Sequence, residues 1–215
     1  MLAICFCAIG YSAKTLQLIH GISWSDQGEE AMSKPIAILV EDMYQVLEVW
    51  YPVLRLKEDG IETKLIGTGS KTSYGSKEGY PAKADCSIGQ VSAKDFDGVI
   101  IPGGFAPDFL RRYEKVIAFV RQMHDDGKIV AAICHGGWLL VSADIIRGRK
   151  VTCFFAIKDD LKAAGGNYMD QEVVVDKNII TSRKPEDLTA FVGEIIKKVK
   201  GDGSQVIGES IITNN

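Results

Sequence analysis

Cys134 and His135 stand side by side in the stretch AAICHGGWLL, where an apolar run meets Gly136 and Gly137. A cysteine does covalent chemistry as its thiolate, and an imidazole beside it can carry the proton. A second glycine pair, Gly103-Gly104, follows another apolar run, and Glu41 follows a third, IAILV. Taken singly, each has an ordinary role: a buried thiol, turn punctuation, a solvated loop acid. Taken together, they supply a nucleophile, a base, an acid and free backbone N–H groups.

The elements that must position these residues follow from apolar patterning. Residues 36–40 form a continuous apolar run, and from residue 44 the residues Val46, Trp50, Val53 and Leu54 recur at helical spacing up to Asp59-Gly60, with Pro52 discordant. Residues 61–66 read as a second strand, 67–79 as a Gly/Ser/Lys-rich loop, and 83–91 as a short strand pair. A strand over 96–101 stops at Pro102-Gly103-Gly104. Val116, Phe119, Val120 and Met123 stripe a helix over 113–126, and 128–133 is another buried strand. A helix follows Cys134 to about residue 146, and FAIKDDLKAAGG predicts another. EVVVDKNIITSR reads as two strands around Asp176-Lys177-Asn178, and Leu188, Phe191, Val192, Ile195, Ile196 and Val199 close the domain with an amphipathic helix. Apolar strands alternating with helices predict an α/β fold with a mostly parallel sheet covered on both faces.

In such sheets ligands bind outside the carboxyl ends of the strands, which is where Glu41, Gly103-Gly104 and Cys134 fall. A strand that ends in a nucleophile and turns at once into a helix is a nucleophile elbow. The free N–H groups of the next turn favour thiolate over thiol, so a lowered Cys134 pKa is expected. Backbone N–H groups of Gly103, Gly104 and His135 are candidates for an oxyanion hole.

Composition bounds the alternatives. With 215 residues, 46% of them hydrophobic, the chain suits one domain with a sizeable core. A formal charge of −3 leaves no basic footprint for nucleic acid, and no stretch of Lys and Arg suggests a membrane surface. Five cysteines (Cys5, Cys7, Cys86, Cys134 and Cys153) have no framework spacing, which fits a reducing cytoplasm. Residues 1–33 read as an N-terminal extension whose apolar stretch is too short to span a membrane, 34–200 as the domain and 201–215 as a tail. His20, His124 and His135 make no metal-ligand pattern, and no G-x-G-x-x-G opens a helix, so neither metal nor nucleotide cofactor is expected. No histidine lies beyond position 135, which excludes a base placed well downstream of the cysteine, as papain-like enzymes and glutamine amidotransferases have.

PGGFAPDFLR, AAICHGGWLLVSADIIRGRKVTC, DQEVVVDKNIITSRKPEDL and the acid after IAILV resemble the ThiJ/PfpI family, most closely its intracellular protease I-like branch, over about residues 35–200. The resemblance implies a flavodoxin-like three-layer α/β/α sandwich related to class I glutamine amidotransferases. It implies Cys134 as nucleophile, His135 as its base, and Glu41 protonated against the sulfur. It also implies that Asp108 reaches the histidine of a neighbouring subunit in a dimer or a trimer of dimers. Asp108 stands where glutamate is usual, and Gly137 where proline or glutamine is usual.

Three functions follow as expectations. The first is a cysteine-dependent enzyme acting on reactive carbonyls, of glyoxalase III or deglycase type, with small carbonyl compounds or glycated proteins and peptides as substrates. The second is a cysteine peptidase of the same family. The third is a redox-sensing stress protein or chaperone whose thiolate is oxidised.

Overall fold

In this computed structural model the described residues are 34–201, so the expected extension and nearly all of the tail lie outside them. Ile36–Val40 (β1) is fully buried, as a strand covered on both faces must be. Val46–Glu58 (α1) crosses to Thr63–Gly67 (β2), and the excursion holds three short strands, Ser73–Gly75 (β3), Pro81–Lys83 (β4) and Cys86–Ser87 (β5). Gly98–Ile101 (β6) leads through Ala106–Leu110 (α2) and Glu114–Asp125 (α3) to Ile129–Ile133 (β7). Beyond the elbow come Gly137–Ser142 (α4), Lys150–Val151 (β8), Lys158–Ala163 (α5), Asn167–Tyr168 (β9), the pair Val173–Asp176 (β10) and Ile179–Ser182 (β11), and Leu188–Lys200 (α6).

The main sheet has seven strands in the order β10-β11-β7-β6-β1-β2-β5. Every pairing is parallel except the β10–β11 hairpin, which turns at Lys177 with φ +58°. Because β7, β6 and β1 are adjacent and parallel, the chain segments after Ile133, Ile101 and Val40 leave the sheet at one end. The sandwich and its mostly parallel sheet agree with the sequence.

Three local expectations change. The helix after the elbow is one turn and a half rather than three: α4 ends at Ser142, and Asp144 then adopts φ +53°, which reverses the chain. Short parallel strands β8 and β9 pair outside the main sheet, too brief for periodicity to reveal. In α1 the buried stripe is Glu48, Val49, Pro52 and Leu56, whereas Val46, Trp50 and Val53 are only half-buried and Leu54 is exposed. Pro52 sits inside this helix and only withdraws one N–H from its ladder.

Tight backbone approach fixes how the elbow meets the sheet. A Cβ on Gly136 would run into the Ile101 carbonyl oxygen at the end of β6, which cannot move without breaking the strand. Gly136→Ala is therefore expected to cost about 1–3 kcal/mol of stability. Urea denaturation with fluorescence detection checks this, and an unchanged midpoint would show that the approach is not a constraint.

Candidate active site

Cys134 follows β7 directly and adopts φ +59°, a left-handed conformation uncommon for a residue with a Cβ. A 3-10 turn over Cys134–Gly136 then opens into α4. This is the elbow expected from the strand-to-helix spacing. The thiol itself is not pushed into solvent, for Cys134 is 8% exposed and joins the hydrophobic core.

Gly103 meets the elbow from the end of β6. A Cβ there would lie 2.7 Å from the Cys134 Cβ and 2.8 Å from the Glu48 Oε2, so only glycine lets the three segments close. The Gly103 N–H donates to Glu48 Oε2 at 2.6 Å. That N–H is thereby committed to a carboxyl and does not belong to an oxyanion hole. The N–H groups of Gly104 and His135 do approach the sulfur, so two of the three expected donors lie against the thiol.

The acid against the cysteine is Glu48, not Glu41. Glu48 is fully buried on the inner stripe of α1, within side-chain hydrogen-bond reach of Cys134, and its Oε1 has no hydrogen-bond partner among the described residues. Glu41, after β1, turns the other way: Thr68 and Ser70 hydroxyls and the Asp42 N–H bond its carboxylate. It borders a cavity of about 130 Å³ with Asp42, Phe109, Arg112 and Tyr113. The physical reason is geometric. A residue just beyond a strand can turn to either side of it, whereas a glutamate on the buried stripe of a helix has one direction open. The signal was in the sequence, because Glu48 falls four residues before Pro52 and eight before Leu56, on one helix face.

Burial decides the electrostatics. It pushes Glu48 up to about 7, only partly opposed by the Gly103 N–H and the Cys134 side chain. It also pushes the Cys134 thiol up, with the Glu48 charge adding to it, while the N–H groups of His135 and Gly104 pull the other way. The expected net lowering of Cys134 by helix N–H groups is thus outweighed by desolvation. Glu48 and Cys134 are buried against each other, so a second negative charge there is strongly disfavoured.

His135 places Nδ1 3.3 Å from Cys134 Sγ. Its ring stacks on Phe154, with centroids 5.0 Å apart, and meets the edge of Trp138 at 5.1 Å. Burial, followed by the nearby Lys77 charge, holds its pKa below the usual imidazole value, so it is neutral at pH 7. Among the described residues no carboxylate pairs with its ring. Asp108, on α2, pairs instead with Arg112 one helical turn on. Gly137 begins α4 against Leu161 and Ile157 of the next helical segment. No group of three or more His, Cys, Asp or Glu among the described residues is arranged to hold a metal ion.

Comparison with known proteins matches this architecture. A sequence model of the DJ-1/PfpI family matches residues 34–198. Deglycase TK1284 of Thermococcus kodakarensis is 40% identical over 165 residues, which span 77% of this chain and 99% of that protein. The putative cysteine protease YraA of Bacillus subtilis is 41% identical over 169 residues, covering 79% of this chain and all of its own. A two-domain protein of Anabaena variabilis, with DJ-1/ThiJ/PfpI-like and ferritin-like domains, superposes with a TM-score of 0.77 at 39% identity, over 80% of this chain and 49% of that one.

The buried carboxyl gives a pH signature. Glu48 ionises near 7 when folded and near 4.5 when unfolded, so the folded state binds the extra proton between these values and stability falls as pH rises through them. The loss is about 3 kcal/mol. Glu48→Gln removes this titration while retaining an acceptor for the Gly103 N–H. Chemical denaturation from pH 4.5 to 8 should show a declining wild-type curve and a flatter variant curve. Parallel curves would refute a raised Glu48.

Proposed function

The chain belongs to the DJ-1/PfpI family, and on that footing we propose that it is a cysteine-dependent enzyme acting on reactive carbonyls and early glycation adducts, with Cys134 as nucleophile. The observation that carries this reading is the Glu48 carboxyl buried against the thiol of a left-handed elbow. Relatives at about this identity are named deglycases, among them one of Thermococcus kodakarensis and one of Escherichia coli.

Sγ adds to the aldehyde carbon of methylglyoxal, giving a hemithioacetal; on an early adduct it replaces the amine at the hemiaminal carbon, the C–N bond breaks, the amine leaves with a proton, and the same hemithioacetal results. The charge that develops on oxygen lies near the N–H groups of Gly104 and His135. Neutral His135, 3.3 Å from the sulfur, takes the thiol proton, gives it to the hemithioacetal oxygen or to the departing amine, and, neutral again, moves a proton between the two substrate carbons. Glu48 serves as the protonated partner of the sulfur. The resulting thioester takes up one water and releases a hydroxy acid, so methylglyoxal plus water becomes lactate with no external oxidant.

The peptidase alternative asks more of the same residues. An amine leaving group needs a proton donor, and a buried imidazole with a depressed pKa is a poor one. On methylglyoxal the carbonyl reading needs only proton shuttling by a neutral ring, and on an adduct the amine leaves from a hemiaminal, which unlike an amide has no resonance to lose.

The functional unit is a homo-oligomer in which Asp108 of one copy approaches His135 of another, since His135 has no acidic partner among the described residues of its own chain. Three thiols that stay free in the described residues, Cys86, Cys134 and Cys153, suit a reducing compartment, here the cytoplasm. No helix among the described residues is long and apolar enough to cross a membrane.

Wild-type protein incubated with methylglyoxal, without glutathione, should form lactate, and Cys134→Ser should lose this by a factor on the order of 10³ or more. Absence of lactate from the wild type would defeat the reading, and cleavage of a fluorogenic peptide that depends on Cys134 would replace it with the peptidase. Analytical ultracentrifugation should find activity only in the oligomer. A fully active monomer would remove Asp108 from the mechanism.

A further inference from the structure

Trp138 has two neighbours besides His135. Its Nε1–H donates to Asp160 Oδ2 at 2.8 Å, and the Arg111 guanidinium lies over its ring, 5.9 Å from the centroid. These three residues line a cleft of about 480 Å³ whose remaining wall is apolar, from Val141, Ala163 and Ala164. Trp138 thus belongs to both places, edging the base of the active site and walling the cleft.

Arg55, Arg112, Arg147, Arg149 and Arg183 all pair with carboxylates. Among the described residues two arginines, Arg111 and Arg121, pair with no carboxylate, and Arg121 donates its Nε–H to the Ala143 carbonyl rather than lining the cleft. The Arg111 Nε–H donates to Ser142 Oγ at 2.9 Å, and Ser142 in turn donates to the Trp138 carbonyl, which fixes the guanidinium plane and leaves the two terminal nitrogens without an anion. A planar fork held in place over an indole is suited to bidentate capture of a carboxylate. On the opposite wall Asp160 keeps Oδ1 for a donor, while the alanines and Val141 accept a short aliphatic stem.

We infer that this cleft is the subsite for the amino-acid part of the substrate, with Arg111 binding a carboxylate carried by that part while its glycated group lies at Cys134. The inference rests on the deglycase reading and adds to it a substrate class: adducts of free amino acids, or of a chain's C-terminal residue, in preference to adducts within a chain. Both sources present the same carboxylate beside the glycated side chain. Trp138 is the shared wall that spaces the two groups.

The test compares methylglyoxal adducts of N-acetyl-L-arginine and of its C-terminal amide, with wild type and Arg111→Gln. Wild type should favour the carboxylate by roughly tenfold or more in kcat/KM, and the ratio should fall to about one in the variant. Arg111→Lys, which keeps the charge without the fork, should restore only part of the ratio. Peptides with the adduct on the last or on an interior arginine separate the two sources: activity on the N-acetyl-L-arginine adduct but on neither peptide assigns the cleft to single amino acids. Equal rates for acid and amide in the wild type overturn the inference. If neither adduct is processed, the deglycase reading fails, and calorimetric titration of unmodified N-acetyl-L-arginine decides the cleft alone. Saturable binding of the acid that exceeds the amide and is lost in Arg111→Gln sustains it, and equal or absent binding ends it.

Discussion

At Cys134 the chain leaves a buried parallel strand with φ +59°, a conformation that costs on the order of 1–3 kcal/mol for a residue with a side chain. Nothing local to Cys134 offsets this, so its surroundings must. Gly136 lets the following turn settle on the Ile101 carbonyl, and Gly103 vacates the volume that the Cys134 Cβ occupies. The same absence of a side chain at Gly103 brings its N–H onto Glu48. One backbone angle therefore links β6, β7, α1 and α4. The carboxyl–thiol contact is a by-product of closing that junction.

Seen from this junction, the residues legible in the sequence and those that were not divide by physical type. Strands buried on both faces appear as unbroken apolar runs, so Ile36–Val40 and Ile129–Ile133 were evident, and with them the sheet end where Cys134, Gly103 and Gly104 meet. The elbow at Cys134 was legible because a strand that runs straight into a glycine-flanked turn leaves few other backbone courses. Glu48 was missed because the stripe of α1 was phased on Val46, Trp50 and Leu54, which put the glutamate on the wrong face. The buried stripe runs through Pro52, a residue usually taken as a helix end rather than a helix face. The balance between helix N–H groups and desolvation was not legible either, since it depends on how deep the sulfur lies, a three-dimensional quantity.

His135 illustrates how orientation can be supplied without a charge. In a triad the base is held by a carboxylate that also stabilises the imidazolium. Here the ring lies between Phe154 and Trp138, two aromatic contacts that fix its plane but do nothing for a positive charge. Burial acts in the same sense by lowering its pKa. Such a ring is suited to accepting and returning a proton and unsuited to holding one. This favours an isomerisation with internal proton transfer over cleavage of an amide, and it makes any acid from a second copy a modulator of the imidazole rather than the source of its geometry.

The charges around the thiol follow the same logic. Glu48 is the carboxyl that acts on Cys134, and burial raises its pKa to about 7. His135 is neutral. The N–H groups of Gly104 and His135 already face the sulfur, where the proposed reaction would develop negative charge. These dipoles need no reorganisation as the charge forms, which is what makes them worth more in a dry pocket than in water. A carboxylate permanently ionised beside Cys134 would reverse that advantage, so the depth at which α1 buries Glu48 is as much a part of the chemistry as the cysteine itself.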